Sequence, residues 1–213
     1  MKVSRFIVNP FGENTYIVYD ENSREAFVVD PAMMNDAERN AVIQFIDRHE
    51  LTLRYVLITH MHIDHVTAAR WLADRFGCPV AGSPLDEQLS QMLPLQALRF
   101  GLKLDVQPLT LDRELSHNDT LTVGGETIRV IATPGHSLGG LSYYLPQSGV
   151  VLSGDTLFEG SVGRVDLPGG DMDTLVDSIK THLFCLPPET MVAPGHGEVT
   201  TISREQRYNP FLQ

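Results

Sequence analysis

Four side chains that can bind a metal ion lie within six residues of this sequence, in the run Thr59-His60-Met61-His62-Ile63-Asp64-His65. The run follows an apolar segment, residues 55–58, which predicts a buried strand that gives way to a loop. His60 and His62 are two residues apart, so an extended backbone sends both side chains to the same face. Imidazole and carboxylate groups together suit zinc and similar divalent ions. The spacing therefore predicts a metal site at this strand end.

The last two of these side chains, Asp64 and His65, are predicted to reach a second position close to the first pair, because a turn after His62 brings them round. Aspartate is also a preferred helix N-cap, and an apolar period of helical spacing follows it. We therefore expect Asp64 to cap a helix over residues 66–76 as well as to offer a ligand.

Three further candidate ligands follow apolar segments later in the chain: His136, Asp155 and His196. Each comes directly after a glycine, in the sequences TPGH, SGD and APGH. Glycine at this position lets the backbone approach a metal ion without a clashing side chain. If these strand ends meet at one rim of the fold, five histidines and two aspartates converge there.

Such a set is sufficient for two metal ions, which in dinuclear hydrolases lie about 3.5–4 Å apart. The expected assignment is His60, His62 and His136 for the first ion, Asp64, His65 and His196 for the second, and Asp155 as the bridge. Each ion then keeps an open position for a bridging hydroxide, and the ions polarise a carbonyl or phosphoryl oxygen. Two carboxylates and a hydroxide offset three of the four positive charges, so the site should attract a small anion.

Other polar residues near these strand ends either orient the histidines or make ordinary strand-end hydrogen bonds. They are Asp30, Thr59, Thr133 and Ser153.

The composition limits the classes of partner. The chain has 213 residues, of which 42% are hydrophobic, and a formal net charge of -11, which argues against a broad nucleic-acid or anionic-membrane surface. Its two cysteines, Cys78 and Cys185, have apolar neighbours and predict buried free thiols in a reducing compartment. No signal peptide or membrane-spanning segment is recognisable, so a cytoplasmic location is expected.

The order of predicted elements indicates two similar halves. The first half reads as strands 2–8, 15–19 and 26–29 in an antiparallel meander, a helix over 36–50, and the strand and helix around the histidine run. The second half reads as strands 121–123, 126–131, 141–145 and 150–153, a helix over 172–183 and a strand over 190–193. We expect an α/β fold in which two sheets pack face to face with helices outside, as one domain over residues 1–213. Residues 83–105 form an insertion, either a substrate-shaping lid or a plain connecting segment.

The motifs THMHIDH, TPGHS, SGDTLF and APGHG, in this order, resemble those of the metallo-β-lactamase superfamily. The resemblance covers nearly the whole chain. It implies an αββα sandwich of two mixed β-sheets with outer helices, and a dinuclear site on one rim. Zinc is the first expectation for the two ions, with iron or manganese as alternatives, since the same ligands accept all three.

Within that superfamily the sequence is most similar to the glyoxalase II group, and to its single-domain bacterial branch. His62, residues 155–164 and the ending Arg207-Tyr208-Asn209-Pro210-Phe211 carry this likeness. It implies hydrolysis of S-D-lactoylglutathione or a related small anionic thioester by hydroxide attack on the carbonyl, with Asp64 and Asp155 as the catalytic metal-binding carboxylates. Two-domain members hold glutathione partly with basic residues of a C-terminal helical domain, which has no counterpart before Gln213. The thioester class is thus better supported than glutathione itself.

Arg164 falls where this group places a basic residue after the bridging aspartate. It either binds a substrate carboxylate or forms an ion pair within its own loop.

Three competing interpretations stay open. Persulfide dioxygenases resemble this fold but use one iron held by two histidines and an aspartate. Other metallo-hydrolases of the superfamily act on lactones, β-lactams or phosphodiesters. A non-enzymatic metal protein is the third. In none of them do we expect a nucleic-acid or membrane partner, and we expect a monomer or a weak homodimer.

Overall fold

A first six-stranded sheet is built from the N-terminal half of the chain. The computed structural model describes all 213 residues. The sheet contains, in order, β1 Lys2–Val8, β2 Glu13–Tyr19, β3 Glu25–Val29, β4 Thr52–Leu57, β5 Val80–Gly82 and β6 Arg113–Glu114. The first three strands pair antiparallel, which confirms the predicted meander, and β3 to β6 pair parallel. The predicted turn over residues 10–14 is shorter than expected, because β2 already begins at Glu13.

Helices join the parallel strands of this sheet, as parallel pairing requires. They are α1 Asp36–Arg48, α2 Ile63–Val66, α3 Ala69–Phe76, α4 Glu87–Gln91 and α5 Leu93–Arg99. Helix α1 begins where predicted, because the Asn35 side chain accepts a hydrogen bond from the Glu38 backbone N–H. A 3-10 turn, Pro84–Asp86, precedes α4, and Pro94 stands in the first turn of α5, where its missing N–H is harmless.

The predicted N-cap role of Asp64 is wrong. The helix expected over residues 66–76 is divided into α2 and α3, and Asp64 lies in the first turn of α2, after an extended His62. The division occurs at Thr67 and Ala68, where Ala68 leaves helical geometry with φ -113° and ψ 7°. The short helix turns the Asp64 side chain towards the histidines, and α3 packs separately on the sheet.

A second six-stranded sheet comes from the C-terminal half. Its strands are β7 Thr120–Val123, β8 Glu126–Ala132, β9 Leu141–Leu145, β10 Val150–Gly154, β13 Met191–Pro194 and β14 Thr200–Thr201, and β11 Leu157–Phe158 with β12 Ser161–Val162 forms a separate hairpin. Only β10 and β13 pair parallel, and they are joined by α6 Met172–Ser178 and a wide turn, Ile179–Leu183. Helix α7, Ile202–Tyr208, follows β14.

The core consists of three apolar layers. On β2, Ile17 and Tyr19 face the helices of the first sheet, while Tyr16 and Val18 face the second sheet. The third layer packs the second sheet against α6 and α7, for example through Leu175. Strands covered on both faces read as nearly continuous apolar runs, as these do. The layer order is therefore helix, sheet, sheet, helix, which confirms the αββα sandwich of mixed sheets.

Both cysteines are free, but only Cys78 is buried; Cys185 is exposed, contrary to expectation. It lies just past the wide turn, where its thiol donates to the Thr181 carbonyl. None of the helices combines the length and the apolar character that crossing a bilayer would need.

Candidate metal centre

The ends of four strands bring all seven predicted ligands to one rim of the sandwich. The histidine run follows β4, His136 follows β8, Asp155 follows β10 and His196 follows β13. Two groups of ligand atoms result, each with all atoms within 4.8 Å of one another: His60, His62 and His136 in one, and Asp64, His65 and His196 in the other. These groups contain the same residues as the two predicted trios, whose metal binding stays a prediction.

In the first trio the ring nitrogens almost touch. Nε2 of His136 lies 3.2 Å from Nε2 of His60 and 2.9 Å from Nδ1 of His62. All three side chains are buried. Four ligands arranged tetrahedrally at the usual Zn–N distance stand about 3.3 Å apart. The spacing of these nitrogens is therefore close to that of ligands that share one ion.

Hydrogen bonds on the far side of the rings fix which nitrogen carries a lone pair. Nδ1 of His136 lies 2.7 Å from the carbonyl oxygen of Arg164, which can only accept, so Nδ1 is protonated. The Thr59 hydroxyl donates to Asp30 at 2.5 Å and so accepts from Nδ1 of His60 at 3.1 Å. Nε2 of both histidines is consequently left with an unprotonated lone pair aimed into the trio. Two bare lone pairs 3.2 Å apart repel each other, and a cation between them removes that repulsion.

The second trio is more open and contains more charge. Oδ2 of Asp64 lies 3.4 Å from Nε2 of His196. Both side chains are partly exposed, whereas His65 is fully buried.

Asp155 stands between the two trios. Its Oδ1 lies 3.4 Å from Nε2 of His65, and its Oδ2 lies 3.6 Å from Nε2 of His136 and 3.8 Å from Nε2 of His196. Oδ1 of Asp155 and Nε2 of His65 are both buried without a hydrogen-bond partner. Buried polar atoms are rarely left unpaired, and metal coordination would satisfy both. The donor set therefore fits a pair of divalent ions with Asp155 shared between them.

Asp30 holds the second trio from behind. Its Oδ2 accepts from Nδ1 of His65 at 2.9 Å, which fixes the tautomer and turns Nε2 towards Asp155. Its Oδ1 accepts from the Thr59 backbone N–H at 2.7 Å. Asp30, His60 and His65 also lie close enough to one another to form a third group of possible metal ligands. Within that group, however, Asp30 and His65 are already joined by the hydrogen bond just described. Asp30 and Thr59 thus have the orienting position that the sequence suggested.

Thr133 and Ser153 do not orient the histidines. The Thr133 hydroxyl pairs with Ser142 and Thr156, and the Ser153 hydroxyl donates to the Leu157 carbonyl. They make ordinary strand-end hydrogen bonds, which was the alternative role predicted for these residues.

The electrostatics favour cation binding. Burial lowers the pKa of His60 and lowers that of His62 to about 3, so both rings are neutral and able to ligate. Burial opposes ionisation of Asp155, but the surrounding groups, His65 first among them, outweigh it and keep the pKa of this carboxyl below its ordinary value. Burial likewise opposes protonation of His65, but the charge of Asp155 outweighs it and raises the pKa of His65. A position that attracts a proton so strongly also attracts a metal ion.

Gly195 shows why glycine precedes a ligand here. A Cβ at this residue would collide with Oδ1 of Asp155 and lie 2.7 Å from Cε1 of His65. The corresponding glycine before His136, Gly135, instead lies against Leu175 of α6. The expected close approach to the metal ligands is therefore found at Gly195 and not at Gly135.

Asp86 ties two ligand loops together and was missed from the sequence. It is buried at the start of α4, where Oδ2 accepts from the Met61 backbone N–H at 3.1 Å and the Ser137 hydroxyl at 2.9 Å, and Oδ1 from the Gly139 N–H at 2.7 Å. Met61 lies between two ligands and Ser137 follows another. No local pattern marks Asp86, because its partners are 25 to 53 residues away.

Glu13 is a second residue that was missed. It is fully buried, and its Oε1 lies 4.0 Å from Nδ1 of His65 without a hydrogen-bond partner. Burial raises the pKa of this carboxyl. The signal available in the sequence was a charged residue, Glu13, directly before a strand segment whose other residues carry no charge.

A cavity of about 100 Å³ opens beside the ligands and forms the mouth of the site. Its walls beyond the ligands are Phe11, Gln96, Phe100, Arg164 and Leu167. The rings of Phe11 and Phe100 meet edge to face with centroids 5.1 Å apart. Arg164 lines this mouth, and Asp166 holds its guanidinium through two hydrogen bonds of 2.7 and 2.6 Å.

Part of the predicted insertion forms one side of this mouth. In α5, Oε1 of Gln96 accepts from the backbone N–H of Ile63, the first residue of the ligand-bearing helix α2, at 3.1 Å. The insertion therefore contacts the site directly. Its expected lid motion stays a prediction.

Comparison with known proteins agrees with this geometry. The chain matches the model of the metallo-beta-lactamase superfamily over residues 8–196. Hydroxyacylglutathione hydrolase GloC of Haemophilus influenzae is 37% identical over 214 residues, which cover 100% of this chain and 98% of that protein.

Solved structures show the same fold over the full chain. The B3 metallo-beta-lactamase BLEG-1 superposes with a TM-score of 0.87 at 36% identity, covering 100% of both chains. TTHA1623, crystallised in a di-iron-bound form, gives 0.86 at 39% identity and covers 99% of this chain and 100% of that one. ETHE1 from Myxococcus xanthus gives 0.78 at 32% identity, with 99% and 84% covered. The chain therefore belongs to the metallo-beta-lactamase superfamily.

Proposed function

We propose that this protein is a metal-dependent thioester hydrolase and that its substrate is S-D-lactoylglutathione or a closely related hydroxyacyl thioester. One observation carries the proposal: the carboxylate of Asp155 lies between the two ligand trios, with Oδ2 3.6 Å from Nε2 of His136 in one trio and Oδ1 3.4 Å from Nε2 of His65 in the other. The relative GloC, named a hydroxyacylglutathione hydrolase, supports the thioester class.

The ligand assignment is part of the proposal. His60, His62 and His136 would hold one ion, Asp64, His65 and His196 the other, and Asp155 both. When bound, the two ions supply Lewis acidity and lower the pKa of water towards neutrality. Zinc is the first candidate, and the di-iron form of TTHA1623 supports iron as an alternative to zinc or manganese.

The chain's own residues prepare the site for metal cations and shape its mouth. Asp30 and Thr59 hold the rings of His65 and His60 so that their Nε2 lone pairs face inward. Phe11 and Phe100 form an apolar wall on one side of the mouth. In the reaction, an oxygen of water forms a bond to the thioester carbonyl carbon and the C–S bond breaks. The thiolate takes up a proton, so that one hydroxy acid and one thiol leave.

Arg164 is proposed as a contact for a substrate carboxylate through the side of its guanidinium that faces away from Asp166. Asp166 occupies Nε and one terminal nitrogen, so the N–H groups of the other terminal nitrogen are the donors that a substrate would use. The ion pair within the loop is the role that the geometry supports better.

A persulfide dioxygenase is the second candidate, supported by the likeness to ETHE1. As described in the sequence comparison with that class, persulfide dioxygenases use one iron held by two histidines and one aspartate. Here all seven ligands of a dinuclear site stand together, which favours hydrolysis. We also propose a cytoplasmic location, a small anionic thioester as partner and no nucleic-acid partner.

The test is a substrate panel assayed on protein of measured metal content. Thioesters, a lactone, a β-lactam, a phosphodiester and glutathione persulfide with oxygen uptake would each be offered. We expect thioester cleavage that is abolished in Asp155→Ala and in His62→Ala, with the circular dichroism spectrum retained. His117→Ala, an exposed histidine outside the site, is the matched control and should keep full activity. Oxygen uptake, or cleavage of a lactone or diester alone, would refute the proposal.

A further inference from the structure

The hairpin of β11 and β12 lies between two parts of the metal centre and belongs to neither six-stranded sheet. It begins two residues after Asp155 and ends two residues before Arg164, whose carbonyl oxygen lies 2.7 Å from the Nδ1 of His136 that donates to it. Gly163, directly after the hairpin, packs against both ligands, since a Cβ there would collide with the Asp155 carbonyl and lie 3.2 Å from Cβ of His136. The position of the hairpin therefore decides where the carbonyl partner of His136 stands.

The group that orients His136 is held differently from those that orient the other histidines. Asp30 and Thr59, the orienting residues described above, stand just past the ends of β3 and β4 in the first sheet. The Arg164 carbonyl instead follows a two-stranded hairpin, so the hydrogen-bond ladder of neither large sheet fixes it. Its position depends on whatever holds the hairpin.

Helix α7 and the residue after it hold the turn of the hairpin at two points. Oε2 of Glu205 accepts from the Gly160 backbone N–H at 2.9 Å, and Nδ2 of Asn209 donates to the Ser161 carbonyl at 2.9 Å. Both side chains are buried, and they are joined because Nδ2 of Asn209 also donates to Oε2 of Glu205 at 2.8 Å. Oε1 of Glu205 accepts from the Thr200 hydroxyl at 2.6 Å. One buried carboxylate thus connects α7, β14 and the hairpin turn.

These polar contacts add direction to the apolar packing of the hairpin. Leu157 and Val162 anchor it in the third apolar layer, but apolar burial is not directional. The hydrogen bonds to Gly160 and Ser161 require defined angles, so they fix the tilt of the hairpin on that layer. The tilt in turn sets the place of the Arg164 carbonyl.

We propose that Glu205 and Asn209 are positioning residues of the metal centre, which keep the Arg164 carbonyl on Nδ1 of His136 by holding the hairpin. The inference rests on the ligand assignment of the proposed function and adds two residues that make no hydrogen bond with a ligand. When they are lost, the carbonyl moves away and Nδ1 of His136 pairs with water. The ring then loses its fixed tautomer and angle, and its Nε2 lone pair is less often available to the first ion.

The experiment measures zinc binding and the His136 ring in variants of the full chain. In calorimetric titration, Glu205→Ala should lower the affinity for one of the two ions about tenfold, the low end of the range for groups that orient a ligand, and leave the other unchanged. In NMR spectra of the zinc-loaded protein, the Nδ1–H of His136 should exchange with water about tenfold faster, because its acceptor is no longer held. Asn209→Ala keeps the Glu205 bond to Gly160 and should change both quantities in the same direction, and it carries the test if Glu205→Ala does not fold.

Two control variants separate positioning from general stability. Glu205→Gln is the conservative rescue, because its amide oxygen can replace Oε2 towards both donors while the Thr200 hydroxyl accepts from the amide NH2. It should keep the zinc affinity and the exchange rate of wild type. Thr201→Ala removes the hydroxyl that accepts from the Arg204 backbone N–H at the start of α7. It should lower the midpoint of unfolding and leave both readouts of the metal centre unchanged.

The inference is overturned if Glu205→Ala and Asn209→Ala bind both zinc ions as wild type does. It is also overturned if Thr201→Ala or Glu205→Gln loses as much affinity as Glu205→Ala, since general destabilisation or loss of charge would then be the cause. The measurements need no turnover, so they are independent of the substrate. If no thioester is cleaved but zinc affinity depends on Glu205 as expected, the proposed activity fails and the positioning role stands. If wild type binds no zinc, the ligand assignment and this inference fail together.

Discussion

Replacing Asp86 by asparagine should weaken the metal centre without touching a ligand. The Asp86 carboxylate accepts from the backbone N–H of Met61, in the first ligand loop, and from Ser137 and the Gly139 N–H, in the second. Met61 and Gly139 are bound by different oxygens of the carboxylate. An amide offers one acceptor oxygen, so in Asp86→Asn one of these two backbone groups must face an NH2 group.

The expected cost follows from these three bonds. A buried donor without an acceptor costs about 1–3 kcal/mol, and each of the other two bonds loses about 1 kcal/mol when its acceptor is no longer charged. Part of this is offset because the variant no longer buries a charge, a burden visible in the pKa of Asp86, which burial raises. We expect a net loss of about 2–4 kcal/mol in the free energy of unfolding, against a typical total of about 5–15 kcal/mol.

The assay has two readouts. Urea unfolding of the metal-free protein, followed by far-ultraviolet circular dichroism, measures the stability loss. Calorimetric metal titration measures affinity, which should fall about 10-fold to 100-fold, as for other residues that position ligands. The neighbouring Glu87→Gln is the matched control, because this side chain is exposed and should change neither quantity.

The reasoning would be refuted by a variant whose midpoint of unfolding and metal affinity both equal those of wild type. A stability loss with unchanged metal affinity would show that Asp86 supports the fold but does not position the ligand loops.

Three further predictions concern the same rim. Removing the metals with a chelator should lower the unfolding temperature by about 10 °C, since ligand at about 1,000 times its dissociation constant stabilises by about 4 kcal/mol; a thermal scan with and without zinc checks this. Gly195→Ala should reduce metal affinity more than tenfold in calorimetry, because its Cβ would collide with Asp155 and His65, and unchanged affinity would contradict the clash. The hydrogen bonds from Arg164 lower the pKa of Asp166 to about 2, below its value in the unfolded chain. The ion pair should therefore stabilise the loop above about pH 4, and this stabilisation should be lost as the pH falls through about 2. NMR titration of the Asp166 carboxyl measures the midpoint, which should rise towards about 4 in Arg164→Gln.

The sequence by itself determined the layers of the fold and indicated the candidate ligands. Ligands such as His136 and His196 follow apolar strand segments, and strand periodicity with turn residues places such positions at sheet rims without any tertiary information. The order of strands and helices in each half predicted two sheets packed face to face with helices outside. These signals are local, so a single sequence contains them.

The tertiary structure alone decided what supports the ligands and what surrounds them. The bonds of Asp86 to the ligand loops and the position of Glu13 against His65 join segments that are far apart in the chain. Asp64 was misplaced as a cap because its short polar side chain suits a helix start equally well in isolation. Which of two locally favourable roles a residue adopts depends on the groups that packing brings against it, and no spacing along the chain records them.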